Sequence, residues 1–324
     1  MRPTQNSVME LFNKIQNVDC LQGLSWLPDE SIDCCVTSPP YFAMRDYGVA
    51  GQIGLELSPE AYIDKLVEVF TQVLRVLKKD GTCWVVIGDT YAGCGKGAAN
   101  YPDNAKKYLQ GTNVGTLQKG TSYKYETEAK DRDLIGIPWM LAFALRRIGF
   151  YLRQDIIWHK PNPMPESVKS RCTRSHEYIF LFTKSRTYYF NDKVLREPSN
   201  TGVRLREFNH RAVKYLVPGH KSVQFRGSGS NQDGMRNRRD VWSILVKPGY
   251  DGHHATFPID IPYNCIRLGC REHGVVLDPF IGSGTTGVAA VRLKRDFIGF
   301  ELNVEYAKSA SERVEKELRE PMLF

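Results

Sequence analysis

The chain has 324 residues, 42% of them hydrophobic and 25% charged, with a formal net charge of +8. That length supports about two domains, or one with a large insertion, and buries enough surface to need no disulfide or metal staple. No apolar stretch approaches the roughly 18 residues needed to cross a bilayer, the first residues lack a signal-peptide core, and the basic excess favours an anionic partner.

Residues 15–19 read as a short strand ending in Asp19, followed by a short helix over 21–27 and a turn at 28–30. Ile32–Val36 is a buried strand that runs into Thr37-Ser38-Pro39-Pro40-Tyr41. Two adjacent prolines cannot continue a hydrogen-bond ladder, so they end the strand in a stiff loop with a hydroxyl before it and a ring after it. Residues 42–57, with glycines at 48, 51 and 54, read as a mobile loop over that site. Ser58-Pro59 caps a helix whose apolar face is Ile63, Leu66, Val67, Phe70, Val73, Leu74 and Leu77, with Lys78, Lys79 and Gly81 as its stop signal. Trp84–Ile87 is the next strand. Strand, helix and strand in this order imply a parallel pair in an α/β sheet.

Residues 92–130, rich in Gly, Lys, Asn, Thr and Tyr with little periodicity, read as a long loop of the kind that is functional or disordered. A helix over 138–148, a strand over 151–158, a stiff loop from His159 to Pro165 and a strand over 177–183 follow. Between 193 and 247 there are twelve basic and four acidic residues, an excess equal to the net charge of the whole chain. Phe208, Tyr215 and Phe225 are interleaved among those bases, a composition suited to nucleic acid, with a solvated basic surface as the bland alternative. The α/β signals then return: helix 262–269, strand 275–277, helix 285–293, strand 297–300 ending in Glu301, and a closing helix over 306–318. Eight cysteines without a C-x-x-C pair, and histidines at no zinc spacing, predict free thiols in a reducing compartment and no metal.

Gly282, Gly284 and Gly287 spell G-x-G-x-x-G between a strand and a helix, and Glu301 ends the next strand 17 residues beyond Gly284. Glycines let a backbone approach a ligand closely, and an acid at that place bonds ribose hydroxyls, so this is a nucleotide-type site that would also suit NAD. Asp278-Pro279-Phe280 stands ahead of the first glycine, where a dinucleotide site usually turns straight into glycine. An acid and an aromatic there suit a ligand with an ammonium and an adenine. Only 23 residues follow Glu301, too few to complete a doubly wound sheet, so its remaining strands must lie upstream.

Ser38-Pro39-Pro40-Tyr41 early and Asp278-Pro279-Phe280-Ile281-Gly282-Ser283-Gly284-Thr285-Thr286 late together resemble the β-type amino-methylating DNA methyltransferases, which modify cytosine N4 or adenine N6. Ile156-Ile157-Trp158-His159-Lys160-Pro161-Asn162-Pro163 and His254-Ala255-Thr256-Phe257-Pro258 add to the likeness. A Gly-Asp pair of the family is here Val18-Asp19. The resemblance implies a Rossmann-like, circularly permuted mixed sheet with helices on both faces and a basic target-recognition insertion. Its parts would be a catalytic half over 1–192, a target-recognition region over 193–247 and a cofactor half over 248–324.

By the same resemblance S-adenosylmethionine is the cofactor, held by Asp19, Phe257, Asp278, Pro279, Phe280, Gly282, Gly284, Thr285, Thr286 and Glu301. The Ser38 hydroxyl and Pro39 carbonyl would accept the amine hydrogens, within a catalytic loop completed by Pro40 and Tyr41. Tyr41 would stack on a base flipped from the duplex, and Trp158 would complete the sandwich. Arg204, Arg206, Arg211, Lys214, Arg226, Arg236, Arg238 and Arg239 would contact double-stranded DNA. Serine at the head of the loop favours cytosine N4 over adenine N6. Cytosine C5 chemistry is disfavoured, because no Pro-Cys nucleophile occurs. A cytoplasmic setting in a bacterial or phage-infected cell and a cognate restriction endonuclease are further expectations. An NAD-dependent oxidoreductase, a non-catalytic nucleic-acid binder, and an RNA or protein acceptor are the alternatives.

Overall fold

The computed structural model describes residues 8–93, 125–198, 235–246 and 257–319. They divide into two compact units, Met1–Phe190 with Asp240–Phe324, and Asn191–Arg239. In the larger unit the strands are β1 (Lys14–Asn17), β2 (Ile32–Thr37), β3 (Leu77–Ile87), β4 (Tyr151–His159) and β5 (His176–Thr183). The smaller unit adds β6 (Glu197–Pro198) and β7 (Met235–Arg236), and the larger is completed by β8 (Val241–Ser243), β9 (Val275–Asp278) and β10 (Asp296–Glu301). Among the described residues six helices accompany them: α1 (Cys20–Ser25), α2 (Pro59–Val76), α3 (Ile137–Arg147), α4 (Asp260–Gly269), α5 (Thr285–Arg292) and α6 (Val304–Arg319).

The eight-stranded sheet has the order β1-β10-β9-β2-β3-β5-β4-β8. β1 through β3 in that order are parallel, β5 is antiparallel to β3 and β4, and β8 is parallel to β4. The side-chain period of two makes β3 buried on both faces. Cys83, Val85 and Ile87 join the cluster formed with α1, α2 and α3. Trp84 and Val86 are equally buried on the opposite face, where Gly269 of α4 packs against the Trp84 ring. Helices α4, α5 and α6 form the second packed layer.

Helix α2 starts as its sequence dictates: the Ser58 side chain accepts from the Ala61 amide at 3.1 Å and Pro59 occupies the first turn. Its end differs from the expectation. The helix stops at Val76, Leu77 turns extended, and Lys78, Lys79 and Gly81 belong to β3. The reason is tertiary. Lys78 Nζ reaches the buried Asp33 carboxylate at 2.7 Å. A Cβ at Gly81 would meet the Asp33 carbonyl at 3.1 Å, so this glycine serves close backbone approach beside the register shift between Ile32 and Cys34 and is not a helix cap. Asp33 also accepts from the Val275 amide at 2.9 Å, joining β2 to the start of β9.

The basic region does not coincide with the structural division. Residues 240–246 leave it and rejoin the core, where β8 pairs with β4 in the register Trp158↔Trp242 and Trp242 is buried. Within the smaller unit, a 3-10 turn over Asp192–Leu195 precedes the antiparallel β6–β7 ribbon, which Arg196 ties by donating to the Met235 carbonyl at 2.9 Å. The long polar loop expected over 92–130 lies largely outside the described residues. Among the described residues no helix is long and apolar enough to cross a membrane.

Candidate active site

Adjacent parallel strands β9 and β2 are left by chain that winds in opposite directions, toward β10 on one side and β3 on the other. Ligands of open α/β sheets bind outside the carboxyl ends of the strands at such a switch point. Both predicted loops stand there, the Pro-Pro loop after β2 and the glycine loop after β9. A cavity of about 290 Å³ opens between them.

Eleven of the fifteen residues assigned to catalysis, cofactor or base pocket line that cavity: Asp19, Ser38, Pro39, Pro40, Tyr41, Trp158, Phe257, Pro279, Phe280, Gly282 and Glu301. Asp278, Gly284, Thr285 and Thr286 stand behind its wall. Asp278 is the informative departure. Its carboxylate accepts from the Thr37 and Thr286 hydroxyls, each at 2.6 Å, and from the Phe280 amide at 3.0 Å. It is therefore an internal brace that binds the end of β2 to the start of α5. Burial raises its carboxyl from 3.8 to about 6, and the bonds from Thr286, Thr37 and Phe280 oppose that rise only in part. Thr285 faces Arg313, whose guanidinium donates to its hydroxyl at 3.1 Å and to the Ser283 carbonyl at 2.9 Å.

The glycine loop has a physical cause at two positions. Gly282 and Gly284 adopt φ of +51° and +79°, and a Cβ on Gly284 would lie 3.2 Å from that of Ala310 on α6. This turn aims the Gly282 amide at Glu301 Oε2, 3.0 Å away, while Glu301 Oε1 accepts from the Asn303 amide at 2.8 Å. Burial first of all raises the Glu301 carboxyl, and those two amides work against it. Asp19 Oδ1 caps α1 by accepting from the Leu21 and Gln22 amides at 2.9 and 3.2 Å. Two anchored acids thus flank an apolar wall that includes Val18, Phe257 and Phe280.

The catalytic-loop half is held by long-range polar contacts. The Tyr62 hydroxyl donates to the Pro40 carbonyl at 2.8 Å, fixing the Pro-Pro segment to α2. Tyr41 donates to Glu177 Oε2 at 2.7 Å, and Lys160 pairs with the other oxygen of that carboxylate. Lys160 Nζ also lies 4.4 Å from the centre of the Trp158 ring, whose indole N–H donates to the Ile244 carbonyl at 2.9 Å. Residues 42–57 do form an irregular loop, and Met44, Arg45, Tyr47 and Gln52 from it reach the cavity. Glu177, Arg45, Tyr47, Gln52 and Asn303 were not singled out from the sequence. Glu177 carried a faint signal, as a lone acid in an otherwise apolar strand.

The basic residues are seen only in part. Arg236 pairs with Glu197 at 3.4 Å inside the β6–β7 ribbon, and Arg238 and Arg239 follow that ribbon. Arg204, Arg206, Arg211, Lys214 and Arg226 lie outside the described residues.

A mostly parallel, doubly wound sheet with a glycine loop, strand-end acids and a second rigid loop opening into one crevice defines a Rossmann-like cofactor domain with a built-in reaction site. A family model described as DNA methylase matches residues 32–312, and the chain belongs to that N6/N4 amino-methylating family. It is 42% identical over 298 residues to the type II methyltransferase M.SmaI of Serratia marcescens, covering 91% of this chain and 88% of that one. It is 41% identical to the type II methyltransferase M.Cfr9I of Citrobacter freundii, covering 92% of this chain and 86% of that one. Among solved structures, a putative DNA modification methylase from Thermus thermophilus, complexed with S-adenosyl-L-methionine, superposes with a TM-score of 0.57 at 25% identity over 94% of both chains. The cytosine-N4-specific PvuII DNA methyltransferase shares the fold, with a TM-score of 0.59 at 19% identity over 94% of this chain and 91% of that one.

If Glu301 holds ribose hydroxyls, Glu301→Gln loses a charge-assisted acceptor and turns an amide toward the Gly282 N–H. Affinity for S-adenosylmethionine is expected to fall about 10- to 100-fold, with thermal stability nearly unchanged. Isothermal calorimetry checks this, and unchanged affinity removes Glu301 from the cofactor site.

Proposed function

We propose that this chain transfers a methyl group from S-adenosylmethionine to the N4 amine of cytosine in double-stranded DNA. The observation that carries the reading is the junction of the Ser38–Tyr41 loop and the Glu301–Phe280 wall in one cavity of about 290 Å³. Two cavity-lining acids, Asp19 and Glu301, disfavour a pyrophosphate and suit a ligand with an ammonium, a sulfonium and ribose hydroxyls, which argues against NAD. Phe257, Phe280 and Val18 offer the flat apolar wall an adenine needs. When bound, that cofactor supplies an electrophilic methyl group.

The rest falls to the protein. The base amine is a weak nucleophile because its lone pair is delocalised into the ring. Ser38 Oγ and the Pro39 carbonyl accept its two hydrogens, draw the nitrogen toward tetrahedral geometry and hold it in line with the methyl. The base must leave the duplex to reach this crevice, at a cost of a few kcal/mol offset by stacking and polar contacts in the pocket. The basic residues of 191–239 and their neighbours supply phosphate neutralisation and target recognition. Serine at the head of the loop supports cytosine. The close type II relatives, by their names, support a companion restriction endonuclease and a bacterial cytoplasmic setting.

Methyl transfer from labelled S-adenosylmethionine to unmethylated mixed-sequence duplex, followed by digestion to nucleosides and mass analysis, tests the reading. 4-Methylcytosine is the expected product. 6-Methyladenine would keep the cofactor and site but overturn the base, and no methylated nucleoside on any DNA would overturn the function.

A further inference from the structure

Lys160 lines the cavity and is held there by three contacts. Its backbone amide donates to the Ser175 carbonyl at 2.7 Å, which fixes it just past the end of β4. Its ammonium pairs with Glu177 and lies 4.4 Å from the centre of the Trp158 ring, a cation–π distance. The ring is itself pinned, since its indole N–H donates to the Ile244 carbonyl at 2.9 Å. Trp158 is 3% exposed and the Lys160 side chain 20%, so of these two cavity-lining groups the lysine is the more open.

The same ammonium stands on the catalytic-loop side of the cavity. Glu177 accepts from the Tyr41 hydroxyl at 2.7 Å with its other oxygen, so a single carboxylate separates Lys160 from the Ser38–Tyr41 loop. Tyr41 follows β2 and Glu177 lies on β5, with β3 between them in the sheet. Gly88, just beyond the end of β3, leaves the gap: a Cβ there would stand 2.9 Å from Tyr41 Cε2 and 3.3 Å from Glu177 Cδ. A lysine ammonium has three N–H donors and no acceptor. Among the described residues it hydrogen-bonds Glu177 alone, so donors remain for a ligand.

We propose that Lys160 reads the flipped base beside its amine by donating to cytosine N3, and that Trp158 is a platform for that ammonium and not a stacking surface. This rests on the amine-methylation reading. With N4 held by Ser38 Oγ and the Pro39 carbonyl, the next atom along the edge of cytosine is N3. Its lone pair lies in the ring plane, and only a donor satisfies it. Thymine carries O4 and N3–H at these two places, and guanine carries O6 and N1–H. Either would set an oxygen against the Ser38 and Pro39 acceptors and a proton against the ammonium. Lys160 and the loop together therefore recognise a donor with an acceptor next to it. An ammonium at N3 also draws electron density from the amine, and Glu177 on its other side offsets that pull. Lys160 thus acts on which base is held and how it is oriented, and not on the displacement itself.

The test places cytosine or 3-deazacytosine, in which C–H replaces N3, at the position that sequencing of the wild-type methylated product identifies. Wild type, Lys160→Met and Lys160→Met/Glu177→Gln are compared, the last because it removes the carboxylate that the first leaves unpaired. The analogue is expected to lower kcat/KM for DNA about 10- to 100-fold more for wild type than for either variant. Its altered amine reactivity is common to all three proteins and cancels in that comparison. Duplex affinity with S-adenosylhomocysteine bound needs no turnover and should show the same pattern. Calorimetric affinity for S-adenosylmethionine and the melting temperature of the double variant should stay near wild type. Equal sensitivity to the analogue in all three proteins, with 4-methylcytosine still the product, overturns the assignment and leaves the reading beneath it standing. A loss on cytosine that both variants match with lost cofactor affinity or folding also overturns it. Wild-type protein that is inactive on every DNA, or that yields 6-methyladenine, removes the assignment together with the reading.

Discussion

Replacing Asp278 with asparagine is expected to change the pH dependence of stability by about 2–3 kcal/mol between pH 4 and pH 7. The carboxyl is only 2% exposed and has no cationic partner among its bonds, which come from Thr37, Thr286 and Phe280. Its value of about 6 in the folded chain stands above the ordinary 3.8. The folded state therefore binds the proton more tightly than the unfolded state. The stabilisation from that proton is fully present below about 3.8 and is lost as pH rises through about 6. Asparagine keeps the shape and one carbonyl oxygen but cannot titrate. The advantage of wild type over Asp278→Asn, read from urea midpoints, should shrink steadily over that window. A difference that stays level with pH would mean Asp278 remains ionised in the fold, stabilised by its three donors against burial.

Ser38→Ala should lower the turnover number by about 10²–10³ while leaving affinity for S-adenosylmethionine within about twofold of wild type. The side chain lies on the catalytic-loop side of the cavity and holds neither Glu301 nor the glycine loop. In the proposed mechanism it takes one of the two amine hydrogens, and its removal is comparable to deleting one preorganised partner from an oxyanion hole. Pro39 retains its carbonyl, so a residual rate is expected and not complete loss. Rapid-quench transfer measurements with saturating DNA separate this effect from binding. Wild-type turnover in Ser38→Ala would take the hydroxyl out of the chemistry, and a matching fall in cofactor affinity would assign Ser38 to binding instead.

Much of this fold was written locally. The Ser58-Pro59 start of α2 needs only a side-chain oxygen and a preset φ, and both act within one turn. Two prolines end β2 wherever the chain goes next. Gly282 and Gly284 permit left-handed backbone because they lack a Cβ, a property visible in any context. The family membership followed from these same short motifs.

The departures share a different cause. Lys78, Lys79 and Gly81 resemble a helix stop until Asp33 and the β2 register draw them into β3. Asp278 resembles a ligand acid until Thr37, 241 residues away, and Thr286 occupy its oxygens. Residues 240–246 fall within the basic region by position but carry no base, and β4 recruits Val241–Ser243 as the last strand of the sheet. Glu177 had only its place in an apolar strand to mark it. Its meeting with Tyr41, 136 residues earlier, depends on β3 and β5 being neighbours and on the empty side of Gly88. The sequence alone determined the Pro-Pro and glycine turns, the start of α2 and the family, because those rest on backbone chemistry acting over a few residues. The direction in which each polar side chain points was decided by sheet order, because a buried carboxylate takes whatever donors the neighbouring strands bring to it.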